Sequence, residues 1–173
     1  LAMVIIVPIR YFVVQPFFLR GSSMEPNFHD GEYLVIDQLS YHFREPKRGE
    51  VIVFRYPQDH AKFFIKRVVG LPGEDVQIHD GQVIVTNSAY PGGAMIDEMK
   101  YLAPDIRTGG QINVHINSGE YFLLGDNRPA SSDSRTWGVV RGDEVIGRAW
   151  IRLWPLDRIL LFYPTSPRLI TAA

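Results

Sequence analysis

Five short segments of this chain share one local pattern: a glycine and one or two polar residues precede a run of apolar residues. The apolar runs are rich in β-branched and aromatic side chains, which favour strands, and the glycine and its polar neighbour are typical of the turns that precede them. After the N-terminal region, no stretch of ten or more residues has a clean helical period. The sequence therefore predicts a mainly β protein built on antiparallel sheet. The five segments are Gly31–Ile36, Gly49–Phe54, Gly81–Val85, Gly119–Leu124 and Gly142–Gly147.

The size of the chain sets how these strands can be arranged. With 173 residues, of which 46% are hydrophobic and 21% charged, it can bury one substantial core together with a smaller lobe. Residues 86–118 differ in composition from the rest of the chain, because Thr, Asn, Ser, Gly and Pro dominate and apolar residues are isolated. We therefore predict a core formed by residues 16–73 and 119–163, a variable lobe inserted at 74–118, and a C-terminal tail at 164–173.

The N-terminal region is apolar in a way that suggests a membrane. Leu1–Ile9 carries no charge, is interrupted by Pro8 and is closed by Arg10, and residues 11–19 are again mostly apolar. Nine residues are too few to cross a bilayer, which takes about 20 in a helix. Because the chain begins with Leu, we expect residues 1–15 to be the end of a transmembrane anchor that starts upstream. The alternative is a buried helix or strand of the core.

Composition excludes several classes of function. The net charge is -1, and Lys and Arg are scattered without a basic block, so we predict no nucleic-acid partner. The chain has no cysteine, which excludes disulfides, thiol nucleophiles and Cys-ligated zinc. None of the five histidines lies four residues from another, as a helical metal pair requires, so we predict no metal.

A lysine inside an apolar strand is the first candidate for chemistry. The run Phe63–Gly70 alternates so that Phe64, Lys66 and Val68 share one face. Burial among apolar neighbours disfavours the ammonium form, and a neutral lysine can take the proton of a serine hydroxyl. The serines of Gly21–Pro26 can supply that hydroxyl. The alternatives are an exposed lysine on an edge strand and serines that only shape a turn.

A third cluster, Gly125–Arg135, is dense in side chains that form hydrogen bonds. Asp133 and Arg135 can form a fixed ion pair, and Ser131 can hold the amine of Lys66 toward the serine. A polar hairpin turn is the simpler interpretation of this cluster alone.

Together, and in this order after an apolar N-terminus, the motifs closely resemble type I signal peptidases, the membrane-anchored serine proteases that remove signal peptides from exported proteins. The resemblance covers most of the chain outside residues 86–118. The matching segments are Gly21–Pro26, Arg48–Phe54, Lys66–Glu74, Gly125–Arg128 and Asp133–Arg135.

The resemblance implies a role for each catalytic position. Ser23 is the expected nucleophile, and Lys66 is the expected general base for acylation and deacylation. Ser131 is expected to form a hydrogen bond with the lysine, and Asp133 and Arg135 to form the family's structural pair.

The resemblance also implies how the substrate is held. The backbone N–H of Ser23 is an expected oxyanion donor. Some members of the family carry a serine two residues before the nucleophile as a second donor, and this chain has Gly21 there. Six residues stand at positions similar to those that line the family's shallow pockets for small side chains, namely Phe17, Leu19, Met24, Phe28, Phe64 and Ile65.

From these observations we expect a membrane-bound signal peptidase whose catalytic domain faces the non-cytoplasmic side. Its expected partners are the signal peptides of preproteins, cleaved after an Ala-x-Ala pattern, and the lipid bilayer, and the chemistry needs no cofactor. A self-cleaving repressor-type Ser-Lys protease would need a DNA-binding module and an internal Ala-Gly-like site, and neither is visible. The alternative from another class is a membrane-tethered β module that binds extended peptides without cleaving them.

Overall fold

The structure is a computed structural model that describes residues 14–163 and 166–171, and antiparallel strands dominate it. This confirms the predicted mainly β class. The five predicted strand segments correspond to the second, third, sixth, ninth and eleventh strands. The strands are β1 (Val14–Phe18), β2 (Tyr33–Asp37), β3 (Val51–Tyr56), β4 (Asp59–Gly70), β5 (Asp75–His79), β6 (Gln82–Asn87), β7 (Tyr90–Ile96), β8 (Ile112–His115), β9 (Glu120–Leu124), β10 (Val140–Arg141), β11 (Val145–Trp154), β12 (Leu160–Leu161) and β13 (Leu169–Thr171).

These strands form two sheets. The larger sheet has the order β1-β2-β11-β3-β4-β9-β10, and β12 adds to β11. The smaller sheet has the order β13-β7-β6-β5-β8. Helical segments in the described residues are short: α1 (Ser134–Trp137) and the 3-10 turns Leu39–His42, Arg128–Ala130, Gly142–Glu144 and Leu156–Arg158.

The segment predicted as an inserted lobe contains β5 to β8. It shares a hydrophobic cluster with the larger sheet, in which Val69 of β4 and Phe122 of β9 pack with Val76 and Val85. The predicted tail also takes part, because Leu169–Thr171 pairs with β7. Within the predicted tail, Leu169–Thr171 therefore forms the edge strand of the smaller sheet.

The chain passes from one sheet to the other at Gly70. A Cβ placed there would lie 2.4 Å from Cδ1 of Ile116 and 2.6 Å from Cγ2 of Val76. Only glycine lets the end of β4 approach the smaller sheet this closely.

The expected anchor falls mostly outside the described residues. Residues 14 and 15 belong to β1, where Val14 pairs with Asp37 and Gln15 with Ile36, and residues 1–13 are not described. Over residues 14–163 and 166–171, none of the helices has the length and apolarity needed to span a bilayer.

Candidate active site

The loop between β1 and β2 presents Ser23. Two backbone hydrogen bonds close the loop at its base, from Leu19 N–H to Glu32 O (2.8 Å) and from Gly31 N–H to Leu19 O (3.0 Å). Just after the serine, the backbone N–H of Phe28 donates to Met24 O at 3.0 Å, which forms a single turn. The side chains of Met24 and Phe28, at the two ends of this turn, are buried in the core, so packing defines the position of Ser23.

Lys66 reaches the serine from the middle of β4. Lys66 pairs with Ile52 of β3 in an antiparallel register and is only 3% exposed. Lys66 Nζ lies 2.8 Å from Ser23 Oγ and donates to the carbonyl oxygen of Ile65 at 2.9 Å. The structure thus brings together the serine and the lysine that the sequence singled out.

The protonation of Lys66 is set by its surroundings. Burial is the largest cause and lowers its pKa from 10.5 to about 8, although the carboxylates of Asp133 and Asp126 act in the opposite direction. The amine also lies 5.5 Å from the centre of the Phe64 ring. A lysine with a pKa this close to neutrality is partly unprotonated at physiological pH, as a general base must be.

Asp133 and Arg135 form a bidentate pair in which the carboxylate is buried and the guanidinium is partly buried. Arg135 Nε donates to Asp133 Oδ1 and Arg135 Nη2 to Asp133 Oδ2, each at 2.8 Å. Burial alone would raise the pKa of Asp133, but the hydrogen bonds from Arg135 and from the backbone N–H of Gly125 outweigh it and hold that pKa below its usual value. Asp133 is therefore a fixed negative charge near Lys66.

Ser131 lies beside Asp133 and Gly125. Its hydroxyl oxygen is buried, and among the described residues no hydrogen bond joins it to Lys66 Nζ, so the expected bond stays a prediction. The hydroxyl contributes to lowering the pKa of Asp133. Ser131 also packs against Gly125, where an added Cβ would come within 2.1 Å of Ser131 Oγ and 2.5 Å of Ser23 O.

A shallow groove of about 480 Å³ runs past the serine and the lysine. Four of the predicted substrate residues line it, namely Phe17, Leu19, Phe64 and Ile65. Met24 and Phe28 do not line this groove; they are 1% and 2% exposed and pack in a core cluster with Leu34 and Ile36. The turn after Ser23 directs these two side chains inward, which a sequence pattern could not distinguish from a pocket lining.

Sequence reasoning did not assign several residues that hold the loops together. Asn127 donates from its backbone N–H to Ser23 O and from its side chain to Ser22 O, each at 3.0 Å. Arg67, next to Lys66, forms a buried ion pair with Asp126, with Arg67 Nε 2.7 Å from Asp126 Oδ1. The density of hydrogen-bonding residues in Gly125–Arg135 was a signal that this loop matters, but it did not identify the partners.

No metal site is apparent in the part of the chain that the structure describes. None of its groups of His, Asp and Glu side chains has three members arranged to hold a metal ion.

One family model and several known proteins are similar to this chain. Residues 1–154 match the family model described as "Signal peptidase, peptidase S26". A probable signal peptidase I-2 of Synechocystis sp. is 38% identical over 173 residues, which cover 96% of this chain and 75% of that protein. Signal peptidase IB of Staphylococcus aureus is 30% identical over 167 residues, which cover 90% of this chain and 86% of that protein. A crystal structure of a signal peptidase I from Enterococcus faecalis matches with a TM-score of 0.49 and 27% identity, covering 61% of this chain and 97% of that one.

Proposed function

The chain belongs to the signal peptidase family S26, and we propose that it removes N-terminal signal peptides from exported preproteins as a Ser-Lys serine endopeptidase. The observation that carries this proposal is the 2.8 Å separation of Lys66 Nζ and Ser23 Oγ. This contact occurs beside a groove, and the lysine is buried enough to lose its proton near neutral pH.

Acylation follows from this contact. Neutral Lys66 accepts the hydroxyl proton of Ser23 as Oγ attacks the carbonyl carbon of the scissile peptide bond. The tetrahedral intermediate collapses, the C–N bond breaks, and the Lys66 ammonium gives its proton to the departing amine. The product is an ester between Ser23 and the signal peptide, and Lys66 is neutral again.

Deacylation uses the same base. Water attacks the ester carbonyl while Lys66 accepts its proton, and the proton then returns to Ser23 Oγ as the signal peptide leaves with a free carboxylate. The two half-reactions balance without any group beyond those of Ser23, Lys66 and water.

The backbone N–H of Ser23 is the proposed oxyanion donor. Among the described residues this N–H has no hydrogen-bond acceptor, so it can donate to the negatively charged oxygen that develops on the substrate carbonyl. Gly21 has no side chain to add a second donor, and a positive φ of 93° at this position favours glycine.

The groove supports cleavage after small residues. A preprotein segment would lie extended between β1 and β4, where Phe17 and Phe64 contribute apolar walls and Ile65 and Leu19 are almost fully buried. A groove this shallow next to the serine would accept alanine more readily than a large side chain. Cleavage by a membrane-bound form on the non-cytoplasmic side, where cleavage sites emerge at the bilayer, remains part of the proposal.

The test is cleavage of a peptide that spans an Ala-x-Ala signal sequence, with products identified by mass. We expect cleavage directly after the second alanine, complete loss in Ser23→Ala, and retention in Ser22→Ala, the matched control one residue away. A wild-type protein that binds the peptide but leaves it intact would instead support the non-catalytic peptide-binding module. Equal cleavage by Ser23→Ala would exclude Ser23 as the nucleophile.

A further inference from the structure

Arg128 is the most deeply buried cation of the loop that packs against the serine. Arg128 is 1% exposed. Its guanidinium donates two hydrogen bonds to the carboxylate of Glu98, from Nη2 to Oε1 at 2.5 Å and from Nη1 to Oε2 at 2.9 Å. Glu98 lies on the connection between β7 and β8, in the smaller sheet. The hydroxyl of Thr108, at the other end of this connection, also contacts Arg128 Nη1.

Arg128 in turn holds the loop that supports Ser23. Its Nε donates to Gly125 O at 3.0 Å, and Gly125 packs directly on the carbonyl oxygen of Ser23. One residue before Arg128, the backbone N–H of Asn127 donates to that same oxygen at 3.0 Å. A shift of Arg128 would therefore move the groups on which the serine rests.

The same connection contacts the active site by a second route, through Tyr101. Its hydroxyl donates to Glu98 at 3.0 Å, and its ring lies 4.1 Å from the guanidinium carbon of Arg67, the neighbour of Lys66. Asn27, on the serine loop, donates to the carbonyl oxygen of Tyr101 at 2.7 Å. Residues 97–108 thus contact both the loop of the nucleophile and the strand of the base.

We propose that Glu98 is a positioning residue for the Ser23–Lys66 pair, and that the 97–108 connection of the smaller sheet serves to hold the catalytic loops in register. Glu98 touches no substrate and acts through Arg128. The proposal rests on the proposed peptidase function for its kinetic consequence, but its structural consequence can be measured without turnover.

The experiment compares wild type with Glu98→Gln, which keeps the shape of the side chain and removes the charge that pairs with Arg128. Asp143→Asn is the matched control, because Asp143 forms a similar bidentate pair with Arg141 on the exposed surface. Four quantities are measured on the full chain: kcat and KM for the signal-sequence peptide, the midpoint of thermal unfolding, and the rate of hydrogen exchange of the Asn127 amide.

We expect Glu98→Gln to lower kcat about 10- to 100-fold while KM stays within about twofold, since a misplaced reacting group lowers the rate more than it lowers binding. The Asn127 amide should exchange faster than in wild type. Asp143→Asn should change neither kcat nor the exchange rate of this amide. The double variant Glu98→Leu with Arg128→Met removes both buried charges and should recover thermal stability but not kcat.

Several outcomes would overturn the proposal. They are an unchanged kcat in Glu98→Gln, a kcat that the double variant restores together with stability, or a loss of kcat without faster exchange at Asn127. If Glu98→Gln does not fold, Thr108→Val removes a contact to Arg128 without unpairing a charge, and the same directions of change are expected. A wild type that does not cleave the peptide would refute the proposed function alone, because exchange at Asn127 still reports whether Glu98 holds the loop.

Discussion

The pH dependence of cleavage is set by the burial of one amine. With a pKa of about 8, Lys66 is neutral in ~9% of molecules at pH 7. A solvent-exposed lysine with the usual pKa of about 10.5 would be neutral in only ~0.03%. Burial in the structure therefore raises the population of the active base about 300-fold at pH 7.

The assay is kcat/KM for the signal-sequence peptide measured from pH 5.5 to pH 9.5. We expect an acidic limb centred near pH 8, below which the rate falls about tenfold per pH unit. Lys62→Met is the control, because Lys62 lies on the same strand but is exposed at its surface, and it should leave the limb in place. A limb near pH 6.5 would indicate a histidine, and a rate that still rises about tenfold per pH unit at pH 9.5 would show that burial does not act on Lys66 as argued.

Three further changes follow from the same contacts. Lys66→Met should abolish cleavage but stabilise the fold by up to about 3 kcal/mol below pH 8, because the pKa of this amine is lowered in the folded state and not in the unfolded state. The gain should disappear as pH rises from 8 to 10.5. Chemical denaturation across this pH range measures the free energy of unfolding. Gly125→Ala should lower kcat by about 100-fold and reduce the free energy of unfolding by roughly 1–3 kcal/mol, because its Cβ would collide with the carbonyl oxygen of Ser23. Gly92→Ala is the control and should be nearly neutral, because nothing lies within 4 Å of a Cβ placed there. Asp133→Asn should move the acidic limb of kcat/KM to lower pH, because it removes a carboxylate that raises the pKa of Lys66.

Each of these has a result that would contradict it. A Lys66→Met protein less stable than wild type at pH 7 would mean that the amine is not buried at a cost. Full activity of Gly125→Ala would show that the serine tolerates movement of the loop behind it. A limb that moves to higher pH in Asp133→Asn would reverse the sign of the electrostatic argument.

Local patterns were sufficient to predict much of the larger sheet. The glycine that precedes each apolar run ends the previous turn, so the positions of β2, β3 and β9 could be predicted from chemistry within a few residues. The alternation around Lys66 predicted that it shares a face with Phe64 and Val68, because in a strand every second side chain points the same way. It left an exposed edge position open, and residues 65–70 are in fact buried on both faces of the strand. Asp133 and Arg135 are two residues apart, so their pairing needed no knowledge of the fold.

Contacts between distant segments could not be predicted in this way. Glu98 and Arg128 are 30 residues apart and belong to different parts of the fold, so no local period connects them. The edge strand β13 forms only because β7 offers an unpaired edge, which its own three residues do not signal. Met24 and Phe28 were expected beside the substrate, and they lie in the same core cluster as Leu19 and Ile65, which line the groove. Their contact with substrate stays a prediction.

The central claim is that Ser23 and Lys66 act as one catalytic unit, and a double-mutant cycle tests it most directly. kcat is measured for Ser23→Ala, Lys66→Met and the double variant on the signal-sequence peptide. Because the base is useful only when the nucleophile is present, we expect each single variant to lose as much activity as the double variant. Losses that multiply, or substantial cleavage in Lys66→Met, would show that the two residues act separately.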